Sequence, residues 1–374
     1  MCITAKERLE TRRSVKLPRA LDFFAGAGLA TEGLRLSFDV VWANDICPKK
    51  ARVYLANHPR EGFELSPIEK VRGSNLPEAD LSWASFPCQD LSLAGKLGGI
   101  DKARSGLVWH WLRVMDEMQR RPPMVVAENV IGLLSAAKGE HYRLLHQALE
   151  KRGYRVGPIV LDAVHWVPQS RPRVFVIGIK HGPDLTGLTA PVPGWLHPAS
   201  VRRACSGLND LLWWRMPMPR PRQSNLAEIL DPEAKPHEED ISDRNLELIP
   251  HEHWQKMKMA IKAGTRVFAG YKRTRTRGQT LELRFDGIAG CLRTPGGGSS
   301  RQLVVVWNNG KPHTRLLTVT ETARLMGARK SYKVPGSYND GYKAMGDGVA
   351  VPSVRFLSKH LLSSLATLVD TEEA

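Results

Sequence analysis

The chain has 374 residues, a formal net charge of +16 and 42% hydrophobic residues. That is enough apolar material for a large core and two domains, which excludes a disordered polyelectrolyte. No apolar run approaches the roughly 18 residues of a membrane span, and the charge points to a polyanionic partner, nucleic acid above all, although it also fits a membrane surface.

Residues 1–18 are charged, lack the apolar segment of a secretory signal, and read as a flexible arm on a cytoplasmic protein. Five cysteines (Cys2, Cys47, Cys88, Cys205, Cys291) are odd in number and form no C-x-x-C pair. They argue for a reducing compartment and against a cysteine metal site.

From Arg19 an apolar strand runs into a glycine turn at Gly26 and Gly28 and then a helix, the opening of a β-α-β unit. A second strand, Val40-Val41-Trp42-Ala43-Asn44-Asp45, ends in an acid at the spacing at which such folds hold a ribose hydroxyl. A carboxylate there also serves as a cap for the next helix. Thr31 stands where a dinucleotide fingerprint needs its third glycine, so an adenosine-bearing cofactor without pyrophosphate fits better than NAD. Further strand-like runs at 81–86, 124–127 and 174–178 alternate with helical stretches at 106–118 and 141–151. The pattern predicts a Rossmann-like, mostly parallel α/β sheet with helices on both faces.

Polar groups fall at the ends of these strands. Cys88 follows one and Glu128 the next, while Gln169, Arg171 and Arg173 precede the last. Loops beyond strand ends form the ligand crevice of such sheets, so Cys88 and Glu128 are expected to meet. After Lys180 the composition shifts to proline, tryptophan and glycine, with an acidic, loop-like span at 231–243, which marks a domain boundary. Between Arg266 and Arg301 eight basic residues stand against two acidic ones. Lys272, Arg273, Arg275 and Arg277 there, with Gly297 and Ser299 in the glycine-serine loop, are candidates for phosphate and base contact, although a charge run is commonly a solvated face. Thr318 with Glu321 signals a capping box opening a helix, and an amphipathic helix runs to about Val369.

The ordered set Asp22-Phe23-Phe24-Ala25-Gly26-Ala27-Gly28, Pro87-Cys88-Gln89, Glu128-Asn129-Val130, Gln169-Ser170-Arg171-Pro172-Arg173 and Gly346-Asp347-Gly348-Val349 resembles the DNA cytosine-5 methyltransferases of bacterial and phage type. The chemistry such enzymes need is definable without them. Carbon 5 of cytosine is a poor nucleophile, so a thiolate must first add to carbon 6, while a carboxylic acid at nitrogen 3 and a guanidinium at oxygen 2 stabilise the developing charge. The resemblance assigns Cys88 as nucleophile, Glu128 to the cytosine nitrogens, and Arg173, supported by Arg171, to oxygen 2.

It implies S-adenosyl-L-methionine as methyl donor, with S-adenosyl-L-homocysteine as product, in a pocket formed by Phe24, Ala25, Gly26, Gly28, Asp45, Ile46, Ile68, Pro87, Leu107 and Val349. It implies duplex DNA as partner, a base flipped from the stack, and DNA contacts at Gln89, Ser92 and Gln169 besides the basic run. The loop at 92–102 would close over the DNA. The expected division is a catalytic domain of 19–185 plus 338–374 and a target-recognition domain of 186–337, in a monomer acting alone or beside a restriction endonuclease. Three residues depart from the family pattern. Pro67 replaces an acid that reads the adenine amino group, leaving backbone groups or Glu69 for that task; Asp347 replaces an asparagine; Leu29 replaces a glycine. An RNA cytosine-5 methyltransferase, disfavoured by the long basic insert, and a noncatalytic DNA-binding relative are the alternatives.

Overall fold

The computed structural model describes residues 16–87, 106–276, 278–293 and 301–373. Seven strands form the main sheet: β1 (Arg19–Phe23), β2 (Asp39–Asp45), β3 (Phe63–Leu65), β4 (Leu81–Ala84), β5 (Met124–Val130), β6 (Tyr154–Asp162) and β7 (Pro172–Lys180). Their order is β3-β2-β1-β4-β5-β7-β6. The first five pair in parallel, and β7 runs antiparallel to both β5 and β6. Strands β1, β4 and β5 are almost wholly buried, as expected of strands covered on both faces. The chain reverses its direction of travel across the sheet between β1 and β4, the switch point where a crevice opens beyond the strand ends.

One face is covered by the helix Leu107–Glu117, whose Val108, Trp111, Leu112 and Met115 recur at helical spacing and are buried. Trp111 Nε1 donates to Ser82 Oγ on β4 at 2.8 Å, so the indole is both packed and satisfied. The other face takes the C-terminal helices, with Val354, Leu357, Leu361 and Leu365 fully buried against Leu34, Trp83 and Phe175. The helix Leu29–Leu34 lies against Val351–Leu357 so closely that a Cβ at Gly33 would come 2.4 Å from Val354 Cβ. Glycine is what lets these two backbones approach.

The small two-stranded sheet of β8 (Thr189–Ala190) and β9 (Trp213–Trp214) and the helix Ala199–Ala204 between them extend the large core. Val201 and Ala204 are buried with Trp111 and Tyr142, and Leu196, Leu212, Trp214 and Met216 with Trp83. The boundary expected at 185/186 is therefore corrected: residues through Met216 pack on the main sheet, because the tryptophans that looked like a change of domain are core. A second sheet, of order β11-β10-β12-β13, consists of β10 (Val267–Arg275), β11 (Gly278–Leu283), β12 (Gln302–Asn308) and β13 (Lys311–Leu316) and is antiparallel throughout. The helices Glu239–Glu247 and His251–Lys262 cover it through Leu246 and Met257, with Ile249 from the link between them. The span 231–243, read as a loop, is thus helical from Glu239.

One buried polar cluster ties elements together. Arg315 and Glu321 form a two-pronged ion pair at 2.8 and 2.7 Å, and Glu321 also accepts from the backbone of Thr318 and Asp231. Thr318 and Glu321 make the expected capping box at the start of the helix Val319–Leu325. Among the described residues no helix is long and apolar enough to cross a membrane.

Candidate active site

Beyond the ends of β1, β2, β4 and β5 lies a cavity of about 430 Å³. That volume suits a small-molecule ligand. Its floor is the turn after β1, where Phe24 adopts φ 59° and Gly26 φ 58°. A large side chain rarely takes that conformation, and such strain concentrates at functional turns. The turn is fixed by hydrogen bonds. Gly26 N donates to Asp45 Oδ2 at 2.9 Å, Cys47 N to Asp45 Oδ1 at 2.7 Å, and Ala25 N to the carbonyl of Asn44 at 2.8 Å. Asp45 thus positions two backbone segments, and each oxygen of a carboxylate has a second lone pair for a hydroxyl donor.

Phe24, Ala25, Gly26, Asp45, Ile46, Ile68, Pro87, Leu107 and Val349 all line this cavity. Gly28 does not, and its assignment is corrected. At φ 80° a Cβ there would come within 2.6 Å of the His58 ring and 2.9 Å of Tyr54, so this glycine serves packing behind the turn. Leu29 packs over Gly348, whose own Cβ would meet Leu29 Cδ1 at 2.5 Å. Pro67 and Glu69 both stand in the wall.

Glu128 and Arg173 line the same cavity. The antiparallel register pairs Val130 with Arg173 and Glu128 with Phe175, which puts Arg173 diagonally across from Glu128 on one face of the sheet. Arg173 Nε lies 3.2 Å from Glu128 Oε1, and both side chains are nearly buried. Burial pushes the Glu128 carboxyl above its ordinary value, against the opposing pull of Arg173, Ser85 and Arg171. A carboxyl so placed keeps a proton more readily than a surface one, as a donor to a ring nitrogen requires. Asn129 Nδ2 donates to the carbonyl of Phe86 at 2.9 Å, fastening the segment that leads to Pro87. Cys88, Gln89, Ser92 and the loop at 92–102 lie outside the described residues, as do Arg277, Gly297 and Ser299.

Two expected contacts are corrected. Arg171 is buried, and its guanidinium donates to the carbonyls of Leu292, Gly346 and Gly348 and to Cys291 Sγ. Burial and the neighbouring Arg173 push its pKa down to about 10, which still leaves it charged at neutral pH. It holds the last block against the sheet and does not line the cavity. Gln169 is fully buried, its Nε2 donating to Leu325 O at 2.8 Å and its Oε1 accepting from Leu292 N at 3.0 Å. Its hydrogen-bonding groups serve the protein itself and not a DNA strand.

Lys272, Arg273 and Arg275 lie on β10. Arg273 and Arg293 stack on Tyr271 at 5.4 and 5.9 Å from the ring centroid, beside a cleft of about 310 Å³ bordered by Ser170, Pro172, His253 and Arg284. Arg273 and Arg275 both pair with Glu282 on β11. Reading the sequence missed Arg293 as a stacking partner of Tyr271, and missed Ser85 beside Glu128. It also missed Lys50, one helical turn past Asp45, which lines the cavity and reaches Asp347 Oδ2 at 2.6 Å.

Comparison with known proteins gives a consistent result. The chain is 26% identical over 355 residues to the Type II methyltransferase M.MspI of Moraxella sp, covering 93% of this chain and 71% of that one. It is 26% identical over 353 residues to the Type II methyltransferase M.HhaI of Haemophilus parahaemolyticus, covering 93% and 95%. In fold it is similar to the S. pombe Dnmt2 methyltransferase, with TM-score 0.60 at 16% identity over 95% of this chain and 100% of that one. A putative DNA modification methyltransferase encoded within an E. coli prophage superposes with TM-score 0.55 at 19% identity, over 94% and 99%. Residues 19–363 match the C-5 cytosine-specific DNA methylase family, so the chain belongs to that family and is a DNA methyltransferase acting at carbon 5 of cytosine.

Proposed function

We propose that the protein methylates a cytosine flipped out of a specific duplex DNA sequence, with S-adenosyl-L-methionine as donor and Cys88 as covalent nucleophile. The observation that carries this reading is that Glu128 and Arg173, 3.2 Å apart, border the same cavity as the strained turn at Phe24–Gly26. Donor and acceptor sites are then contiguous. The donor set fits the cofactor: apolar walls at Phe24, Ile68, Leu107 and Val349 for a purine, Asp45 for ribose hydroxyls, and a charged end at Lys50 and Asp347. When bound, S-adenosyl-L-methionine supplies an electrophilic methyl group and leaves as S-adenosyl-L-homocysteine.

The protein's own part follows from its residues. The Cys88 thiolate adds to carbon 6 of the ring, and the electron pair moves toward carbon 5. Glu128 donates a proton at nitrogen 3 and Arg173 a hydrogen bond at oxygen 2, which stabilise the charge that forms there. After methyl transfer the carbon 5 proton is lost to a base and the Cys88 sulfur departs, restoring the aromatic ring. Strand β10 and the Tyr271 platform form the DNA-facing side of a smaller recognition unit of about 226–316, and residues 19–216 with 338–373 form the catalytic unit. The protein acts as a monomer in the cytoplasm, alone or beside a restriction endonuclease. The test is transfer of labelled methyl groups to duplex DNA by wild type and Cys88→Ala. Loss of transfer in the variant is expected, and undiminished transfer overturns the covalent step.

A further inference from the structure

Strand β5 lies between β4 and β7, and Glu128 is approached from both neighbours. From β7, Arg173 Nε reaches Glu128 Oε1 at 3.2 Å. From the β4 side comes Ser85. The parallel register pairs Trp83 with Val126 and Ala84 with Ala127, so its next step sets Ser85 level with Glu128. Residues two apart on a strand share a face, which places Trp83 and Ser85 on the same side. Trp83 is fully buried, its ring edge-on to Phe175 at 5.9 Å between centroids, and its Nε1 donates to Ser85 Oγ at 3.0 Å. The backbone around the serine is fixed as well. Ser85 N donates to Phe23 O at 3.2 Å, and Phe86 O accepts from Asn129 Nδ2 at 2.9 Å. Ser85, Glu128 and Arg173 all line the cavity.

An indole N–H only donates, and a serine hydroxyl has a single proton of its own. With the Trp83 proton already on its oxygen, the hydroxyl is left to donate, and the carboxyl beside it is that of Glu128. We propose that Ser85, oriented by Trp83, is a positioning residue for Glu128: its hydroxyl and the Arg173 guanidinium occupy the two flanks of the carboxyl and leave the acidic proton the positions that face the cavity. The proposal rests on the reading of Glu128 as the proton donor to the cytosine ring. A carboxylate has about four acceptor sites, and donors arriving from both neighbouring strands take two of them. With only one flank held, the carboxyl is free to rotate its proton toward the protein and away from a base. The other charged groups acting on Glu128 are Arg171, just before β7, and Asp22 on β1. A substitution at Ser85 leaves both in place.

The experiment compares full-length wild type with Ser85→Ala and Ser85→Thr. Single-turnover transfer of labelled methyl groups from S-adenosyl-L-methionine to unmethylated genomic duplex DNA gives the rate, and calorimetry gives the affinity for S-adenosyl-L-homocysteine. Carbon-13 NMR of carboxyl-labelled glutamate follows the titration of Glu128, its signal identified by its absence from Glu128→Gln. Ser85→Ala is expected to slow transfer about tenfold, the scale of one lost hydrogen bond, with S-adenosyl-L-homocysteine affinity within about twofold of wild type. A donor to the carboxyl favours its ionised form, so losing the hydroxyl should move the Glu128 titration to higher pH. A slower reaction with a better-protonated acid is the mark of lost positioning. Ser85→Thr keeps the hydroxyl and should keep both rate and titration near wild type. If Ser85 serves only to satisfy the Trp83 indole, Ser85→Ala will lower stability and leave the Glu128 titration where it was. That result, or an undiminished rate, overturns the positioning role. Transfer by Glu128→Gln at the wild-type rate would remove the reading of Glu128 itself, and the proposal with it.

Discussion

Replacing Asp22 with asparagine should make the protein's stability less dependent on pH. Asp22 is the last residue but one of β1 and is fully buried, with Thr31 Oγ1 donating to its Oδ2 at 2.7 Å and no partner at Oδ1 among the described residues. Burial, with smaller contributions from Asp45 and Glu128, raises its pKa from 3.8 to about 7 against the opposing hydrogen bonds from Thr31. A carboxyl raised in this way binds its proton more tightly folded than unfolded, so stability falls as pH rises from the unfolded to the folded value. At about 1.4 kcal/mol per tenfold in proton affinity, the loss is about 1.6 kcal/mol at pH 5 and about 4 kcal/mol at pH 8. Asparagine carries no such term. Its amide can still accept from Thr31, while its NH₂ group at the Oδ1 position costs about 1 to 3 kcal/mol independent of pH. Urea unfolding followed by tryptophan fluorescence at pH 5 and pH 8 should show Asp22→Asn gaining about 2 to 3 kcal/mol on wild type between the two. Parallel stability profiles for the two proteins would refute the reasoning, because they would mean that Asp22 is not kept protonated by the fold.

Two further outcomes are expected. Arg173→Lys should cut methyl transfer about a hundredfold or more, because an ammonium cannot reproduce the fork that reaches Glu128 and the Pro172 carbonyl; S-adenosyl-L-homocysteine affinity measured by calorimetry should change little, and a parallel loss of binding would place Arg173 with the cofactor instead. Arg315→Met should lower stability by about 3 to 5 kcal/mol by stranding the buried Glu321 carboxylate. Adding Glu321→Gln should recover part of that in urea denaturation, and no recovery would show that the stranded charge is not the cause.

The catalytic half was legible in the sequence because burial on both faces leaves unbroken apolar runs. Leu81-Ser82-Trp83-Ala84 and Met124-Val125-Val126-Ala127 read as strands for that reason, and the glycine turn and the Thr318 cap follow from local backbone chemistry. Strand β6 went unread because Gly157 and Pro158 interrupt it; Pro158 is tolerated because β6 lies at the edge of the sheet. The acidic span hid the helix Glu239–Glu247, whose Ser242 accepts from Thr314 N and whose Asn245 donates to Thr314 Oγ1, partners some 70 residues away. Gln169 and Arg171 were misread for a related cause. Gln169 looked available to DNA and Arg171 to the target base, and their actual partners lie 120 to 177 residues further along. Lys50 carried no signal at all until Asp347 was brought beside it.

The seam made by Gln169 and Arg171 sets a limit on exchanging specificity between relatives. These two side chains draw together backbone at 292, at 325 and at 346–348, so the strand that carries Arg173 is braced in part by Leu292 of the proposed recognition unit. A recognition segment transplanted across that seam would have to present the Leu292 carbonyl and amide in the same register, or leave Arg171 and Gln169 each short of one buried partner. Grafts confined to the edge strand β11 leave the brace intact. New sequence preferences are therefore more easily engineered as surface replacements there than as whole-domain swaps.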